Sequence, residues 1–148
     1  RLFESFLTER LRVLLPRHGL RVVAQRHDYL DEGRTVGIRP DVLVFAHRGA
    51  SPVLVLDAKY RRAGGPDEEG LNRDLYQVSA YLDRYGLRHG VLVYPRFGDE
   101  APLRLRLRGT PKSLHIATLD LASPTTAELE AACEALAGQA AALALDGA

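Results

Sequence analysis

Pro52-Val53-Leu54-Val55-Leu56-Asp57-Ala58-Lys59 is the stretch whose reading decides the fold. Val53 to Leu56 are apolar on both faces of an extended chain, which suits a strand buried in the middle of a sheet. The run then ends abruptly in charge. Asp57 and Lys59 are two positions apart on one strand, so they share a face. Upstream, residues 40–46 read as a second apolar strand, and the short Ala46–Ser51 connection makes the two an antiparallel hairpin. With its turn centred on Gly49, residue 41 lies opposite residue 57, because 41 and 57 sum to twice 49. Asp41 opens one strand and Asp57 closes the next, so this register brings two carboxylates to one end of the sheet. A one-residue slip would separate them.

Downstream, residues 61–70 read as a loop holding Gly64, Gly65, Pro66 and the acids Asp67, Glu68 and Glu69. A helix over Asn72–Tyr85 follows, closed by Gly86, and then a buried strand over Gly90–Tyr94, stopped by Pro95. The crossover from Lys59 to Gly90 makes that strand a parallel neighbour of residues 53–59. Before the hairpin, Phe3, Leu7, Leu11, Leu14 and Leu15 have helical spacing over residues 2–15, ended by Pro16 and Gly19, and residues 20–27 read as a strand. After Pro95 come an alternating Leu/Arg strand at 102–108, a strand over Ser113–Leu119 and an alanine-rich helix over 125–145. The expected fold is α/β: an α-β-β-β-α-β core whose mixed sheet is flanked by helices, with additions at its C-terminal end. Neither repeats nor a linker divide residues 1–148, which predicts a single domain.

The bulk composition sets bounds. At 148 residues the chain can bury one core. A net charge of +1 gives no global pull toward nucleic acid or anionic membrane, so a polyanion would need a local basic patch. Only Lys59 and Lys112 of the 20 basic residues are lysine, which adds weight to a lysine in a special position. Cys133 is the only cysteine, so no internal disulfide can form, in keeping with a reducing cytoplasm. No apolar run approaches the roughly 18 residues of a membrane span, and no signal peptide opens the chain. There is no methionine, not even at position 1, which predicts a fragment of a longer protein.

The chemistry follows from the hairpin. Two carboxylates about 4 Å apart repel by roughly 4 kcal/mol at an effective dielectric near 20. A divalent cation offsets that repulsion, and oxygen ligands suit magnesium. Glu4 falls within the arc of Leu7, Leu11 and Leu14. It is either a helix-start carboxylate favoured by the macrodipole or a third acid turned toward the metal. Asp74, Gln77 and Tyr81 form one stripe beside Leu75, Val78 and Leu82. Taken alone, that stripe is a helix edge of mixed polarity, with Tyr81 a half-buried aromatic. Asp57 and Lys59 taken alone are a strand-end ion pair, worth little if exposed.

Taken together, these residues resemble the PD-(D/E)XK nuclease superfamily. The motif is Pro40-Asp41, fifteen intervening residues, then Asp57-Ala58-Lys59. Each half sits on an apolar strand, a helix acid lies upstream, and Gln77-Val78-Ser79-Ala80-Tyr81 matches the QxxxY helix of the RecB-like branch. Within the superfamily the likeness is to the nuclease domains of McrC proteins, cleavage subunits of McrBC 5-methylcytosine restriction systems. It rests on Leu2-Phe3-Glu4, Arg39-Pro40-Asp41, Leu56-Asp57-Ala58-Lys59-Tyr60 and Asp74-Leu75-Tyr76-Gln77, and covers roughly the first 95 residues.

The resemblance implies a restriction-endonuclease-like core and a magnesium-dependent deoxyribonuclease, with manganese able to substitute. It implies that Asp41, Asp57 and the Ala58 carbonyl bind the metal, with Glu4 holding it directly or through water. Lys59 would orient or activate the attacking water, and Gln77 and Tyr81 would position the lysine or the phosphate. The implied partners are DNA and a McrB-like AAA+ GTPase motor, engaged through parts absent from this chain. A homodimer could cut both strands.

Arg61 and Arg62 follow the catalytic strand and read equally as phosphate contacts or solvated loop charge. Arg104, Arg106 and Arg108 read as an exposed strand face, and the three loop acids as solvated. His18, His27, His47, His89 and His115 show no metal-ligand spacing and read as surface or structural. No glycine-rich phosphate loop is present, so the domain itself is not expected to hydrolyse NTP. The competing readings are a RecB-like exonuclease domain, a nuclease-like fold that only binds nucleic acid or a partner, and an unrelated α/β scaffold with a chance motif.

Overall fold

A computed structural model describes residues 2–61, 68–98, 100–122 and 125–147. Helix α1 (Leu2–Leu14) runs into a 3-10 turn (Leu15–His18) and strand β1 (Leu20–Ala24). A two-residue-per-strand hairpin, β2 (Asp28–Tyr29) and β3 (Gly37–Ile38), precedes β4 (Val42–Ala46) and β5 (Pro52–Ala58). Helix α2 (Glu68–Tyr85), β6 (His89–Pro95), β7 (Leu103–Arg106), β8 (Ser113–Leu119) and α3 (Thr126–Gly147) complete the chain.

Six strands form one mixed sheet in the order β1-β4-β5-β6-β8-β7. β5, with its continuous apolar run, lies inside the sheet, as a strand with two greasy faces must. It pairs antiparallel with β4 and parallel with β6. Along β4 and β5 the side chains alternate between two cores. Val42, Val44, Leu54 and Leu56 pack with α1 and α3, whereas Leu43, Phe45 and Val55 pack with Val78, Tyr81 and Leu82 of α2. The result is three layers, with α1 and α3 on one face and α2 on the other. Gly90 makes the α2 contact close: a Cβ there would meet Val78 Cγ1 at 2.6 Å. Gly86, at φ +65, takes the left-handed conformation just past α2.

The expected architecture and its α-β-β-β-α-β core are found. Three local expectations are corrected. β1 stops at Ala24, not at residue 27, because Gln25 turns to φ 54 and breaks the extended run. α2 begins at Glu68, four residues before the expected Asn72, because the acids after Pro66 suit a first helical turn. The β2–β3 hairpin was not anticipated, since two-residue strands leave no periodic trace. It is anchored from outside itself: Asp28 accepts hydrogen bonds from Arg84 and Tyr85 of α2 at 2.8 and 2.9 Å.

Candidate metal centre

The hairpin register is the one that the Gly49-centred turn predicts at the end that matters. Val42 pairs with Leu56 and Leu43 with Val55, so the next positions, Asp41 and Asp57, face each other. Beyond Val44 a bulge shifts the pairing by one, without consequence for the acids. The same row extends across β1. Ala24 pairs with Val42, and the next step sets Gln25 against Asp41, whose carbonyl accepts the Gln25 N–H at 3.0 Å. Gln25, Asp41 and Asp57 thus stand in line across the ends of three neighbouring strands.

Asp57 is only 2% exposed. One carboxylate oxygen, Oδ1, lies 3.3 Å from the Asp41 N–H. The other, Oδ2, lies 2.8 Å from Lys59 Nζ as an ion pair, but it accepts no well-formed hydrogen bond among the described residues. Burial, and secondly the facing Asp41, push the Asp57 pKa up to about 7, against the pull of Lys59. Asp41 Oδ2 accepts the Ala58 N–H at 2.8 Å, and Asp41 Oδ1 accepts the Gln25 amide at 2.9 Å. The same amide donates to Glu4. Burial, and then the nearby Asp41, raise the Glu4 pKa above the usual carboxylate range. Glu4 therefore reaches the acids from α1, on the other side of the sheet, through a residue absent from the expected site. Gln25 has its place opposite Asp41 from the β1–β4 register, which the sequence pattern does not fix.

Lys59 Nζ donates to Gln77 Oε1 at 2.8 Å, which joins the strand to α2. Tyr81 is buried one turn further on. Burial, then the charges of Asp57 and Asp41, raise its phenol pKa, while a hydrogen bond to Gln77 opposes them. Glu4, Asp41, Asp57, Ala58, Lys59, Gln77 and Tyr81 are therefore one connected group. Arg61 stands apart. Its guanidinium pairs with buried Asp74 and donates to the Gly70 carbonyl at 2.7 Å, while Tyr94 also donates to Asp74 at 2.7 Å. Arg61 and Asp74 thus clamp the end of β5 to α2. Arg62 and Asp67 lie outside the described residues. Arg104 and Arg106 lie exposed on the edge strand β7, three strands from β5.

A polar cavity of ≈ 610 Å³, lined by Glu4, Ser5, Gln25 and Arg39, opens beside the acids. A separate apolar hollow of ≈ 540 Å³, lined by Leu2, Phe3, Phe6, Tyr60 and Leu121, carries no group suited to hydrolysis. The oxygen ligands suit a hard divalent cation: two facing carboxylates, one of them buried, and a third acid close by. Among the described residues, however, no three such side chains are already disposed to hold an ion together.

No helix among the described residues is long and apolar enough to cross a membrane. No curated protein matches the sequence. Among solved structures, the chain is similar to a chain in a refined half-complex of Thermococcus gammatolerans McrB AAA+ hexamers with bound McrC, from a tetradecameric assembly. The TM-score is 0.70 at 17% identity over 93% of this chain, a likeness of fold. This chain spans 32% of that relative's length. The model of the McrBC 5-methylcytosine restriction system component family matches residues 1–95, the segment from α1 through β6 that carries every residue of the acidic centre, and the chain belongs to that family.

Proposed function

We propose that this domain is the DNA-cleaving part of a McrBC-like modification-dependent restriction system, a magnesium-dependent endonuclease of the PD-(D/E)XK type. The observation that carries the reading is the Asp41–Asp57–Lys59 cluster. It buries the Asp57 carboxylate against a second carboxylate, with Lys59 Nζ 2.8 Å from its Oδ2. Two carboxylates held face to face in a buried site repel each other, and a divalent cation offsets that cost.

Asp41, Asp57 and the Ala58 carbonyl would hold magnesium, or manganese in its place, with Glu4 contributing directly or through water. The bound ion supplies charge neutralisation at the phosphate and lowers the pKa of water. Lys59 orients the attacking water and offsets charge developing on the scissile phosphate. Gln77 accepts from the lysine and so fixes the ammonium toward the reacting water. Tyr81 holds Gln77 in turn. Arg39 gives the rim of the polar cavity a positive charge for the DNA backbone. Arg61, already engaged by Asp74, contributes to DNA binding through the placement of the β5 end, and Arg62 remains a candidate phosphate contact.

The McrB AAA+ motor of the structural relative suggests the same kind of partner here, engaged through parts of the protein beyond this chain. A homodimer would serve double-strand cleavage. A second reading, a nuclease-like fold that binds nucleic acid without cutting it, is favoured by the absence of a ready three-ligand arrangement among the described residues.

The test is incubation with supercoiled plasmid and magnesium or manganese, beside Lys59→Ala and an EDTA control. Nicking that needs both metal and Lys59 is expected. Equal nicking by Lys59→Ala would discard the assigned site. DNA binding without nicking, with no metal uptake, would favour the second reading.

A further inference from the structure

We propose that Gln25 is a positioning residue for the acidic centre: its neutral amide holds the Glu4 and Asp41 carboxylates side by side in the arrangement that accepts a divalent cation. The inference rests on the metal-dependent reading given above and adds to it a residue outside the superfamily motif.

Four observations converge on Gln25. Its amide donates to both Glu4 and Asp41, so one uncharged group bridges two acids carried by α1 and by the start of β4. Its backbone N–H is bonded to the Asp41 carbonyl, which pins the main chain as well. Its φ of 54 lies in the left-handed region, which side chains other than glycine, asparagine and aspartate rarely enter. Glycine would occupy that conformation without penalty, so the side chain is what the position retains. Finally, Gln25 and Glu4 both line the polar cavity, so the amide sits at the wall through which ion and substrate would enter.

The chemistry explains an amide in particular. Each carboxylate oxygen offers two lone-pair directions. An amide N–H takes one and leaves the other free for a metal. Lysine or arginine at position 25 would satisfy the same acids but add a positive charge that competes with the ion. Alanine would leave Glu4 and Asp41 to repel each other and drift apart. Glutamine does neither: it orients the ligands and leaves their net charge intact, as hydrogen-bonded neighbours of metal ligands commonly do.

The experiment is Mn²⁺ binding to the purified chain, measured by calorimetry and by loss of free-ion electron paramagnetic resonance signal, alongside the melting temperature. The variants are Gln25→Ala, Gln25→Gly and Gln25→Lys, with Asp41→Asn as the reference for a lost ligand. Gln25→Ala and Gln25→Gly are expected to bind Mn²⁺ about 10–100-fold more weakly than wild type. Gln25→Gly should melt no lower than Gln25→Ala, because it removes the backbone penalty. Gln25→Lys should lose binding to the level of Asp41→Asn. If wild type binds and the folded Gln25→Gly protein binds within about twofold of it, the positioning role is overturned and the metal reading stands. If wild type takes up no Mn²⁺, both fall together.

Discussion

Two buried polar clusters occupy opposite faces of the same sheet, and they are built on opposite principles. On the α2 face, the buried Asp57 carboxylate meets Asp41 and pairs with Lys59 Nζ at 2.8 Å. On the α1/α3 face, His89 and His115 stand 3.1 Å apart between Nδ1 and Nε2, and His89 Nε2 lies 2.5 Å from Asp146 Oδ2 on α3. That chain of partners is closed: each contact has a donor and an acceptor available, and it ties the end of the last helix to β6 and β8. The acidic cluster is open in charge: the carboxylates of Glu4, Asp41 and Asp57 converge, and the ion pair found among them in the described residues is the one between Asp57 and Lys59. A closed network serves the fold, whereas an open one awaits a ligand.

The sharpest way to break this contrast is Asp57→Asn. Cleavage should fall by a factor of about a thousand or more, equivalent to roughly 4 kcal/mol of transition-state stabilisation. The metal-free protein should melt at the same temperature or higher, since a neutral amide avoids the repulsion from Asp41. A melting temperature that falls steeply would mean that the acid serves the fold after all.

Asp74→Ala tests a second closed network. It leaves Arg61 and Tyr94 without their shared carboxylate, and a loss of about 3 kcal/mol in urea unfolding is expected. His89→Ala should cost somewhat less, about 2 kcal/mol, from a cavity and an unpaired His115. Nicking per folded molecule should be unchanged by His89→Ala. A loss of activity that outran the loss of folded protein would erase the distinction between the two faces.

Per pH unit, the smallest expected effects are in pH dependence, where the two clusters have opposite signs. Burial lowers the His115 pKa to about 4 from 6.5, with the neighbouring His89 and Arg104 adding to it. Between those values the unfolded chain binds the proton and the folded one does not, so stability rises with pH. Asp57 is raised from 3.8 to about 7, so between those values the folded chain keeps a proton that the unfolded one has lost, and stability falls as pH rises. In metal-free protein the two slopes offset. Asp57→Asn should make stability climb more steeply with pH than in wild type, and His115→Gln should make it climb less, each by at most about 1.4 kcal/mol per pH unit. Urea midpoints from pH 4.5 to 7 would read both. Parallel curves for the two variants would contradict the assignment of either shift.

Much of the acidic centre was legible because it depends on local arithmetic. Strand period and one turn residue were enough to set Asp41 against Asp57, and the same period put Lys59 beside Asp57. Gln25 was missed because its place follows from a pairing between β1 and β4, whose intervening segment has no periodic pattern to count along. Arg61 read as evenly divided between phosphate contact and loop charge, and its engagement depends on a carboxylate thirteen positions away on the crossover helix α2. The two buried histidines showed nothing in their spacing, since 26 residues separate them and only the parallel pairing of β6 with β8 brings them together.

The sequence by itself determined the order of the core elements, without the β2–β3 hairpin, the register of the acidic hairpin and the identity of the acids and the lysine, because these rest on side-chain period and short connections. Tertiary structure alone decided how deeply Asp57 is buried, that Glu4 is joined to Asp41 through Gln25, and that Arg61 is held by Asp74. Burial, desolvation and hydrogen bonds between distant strands exist only once the layers have packed.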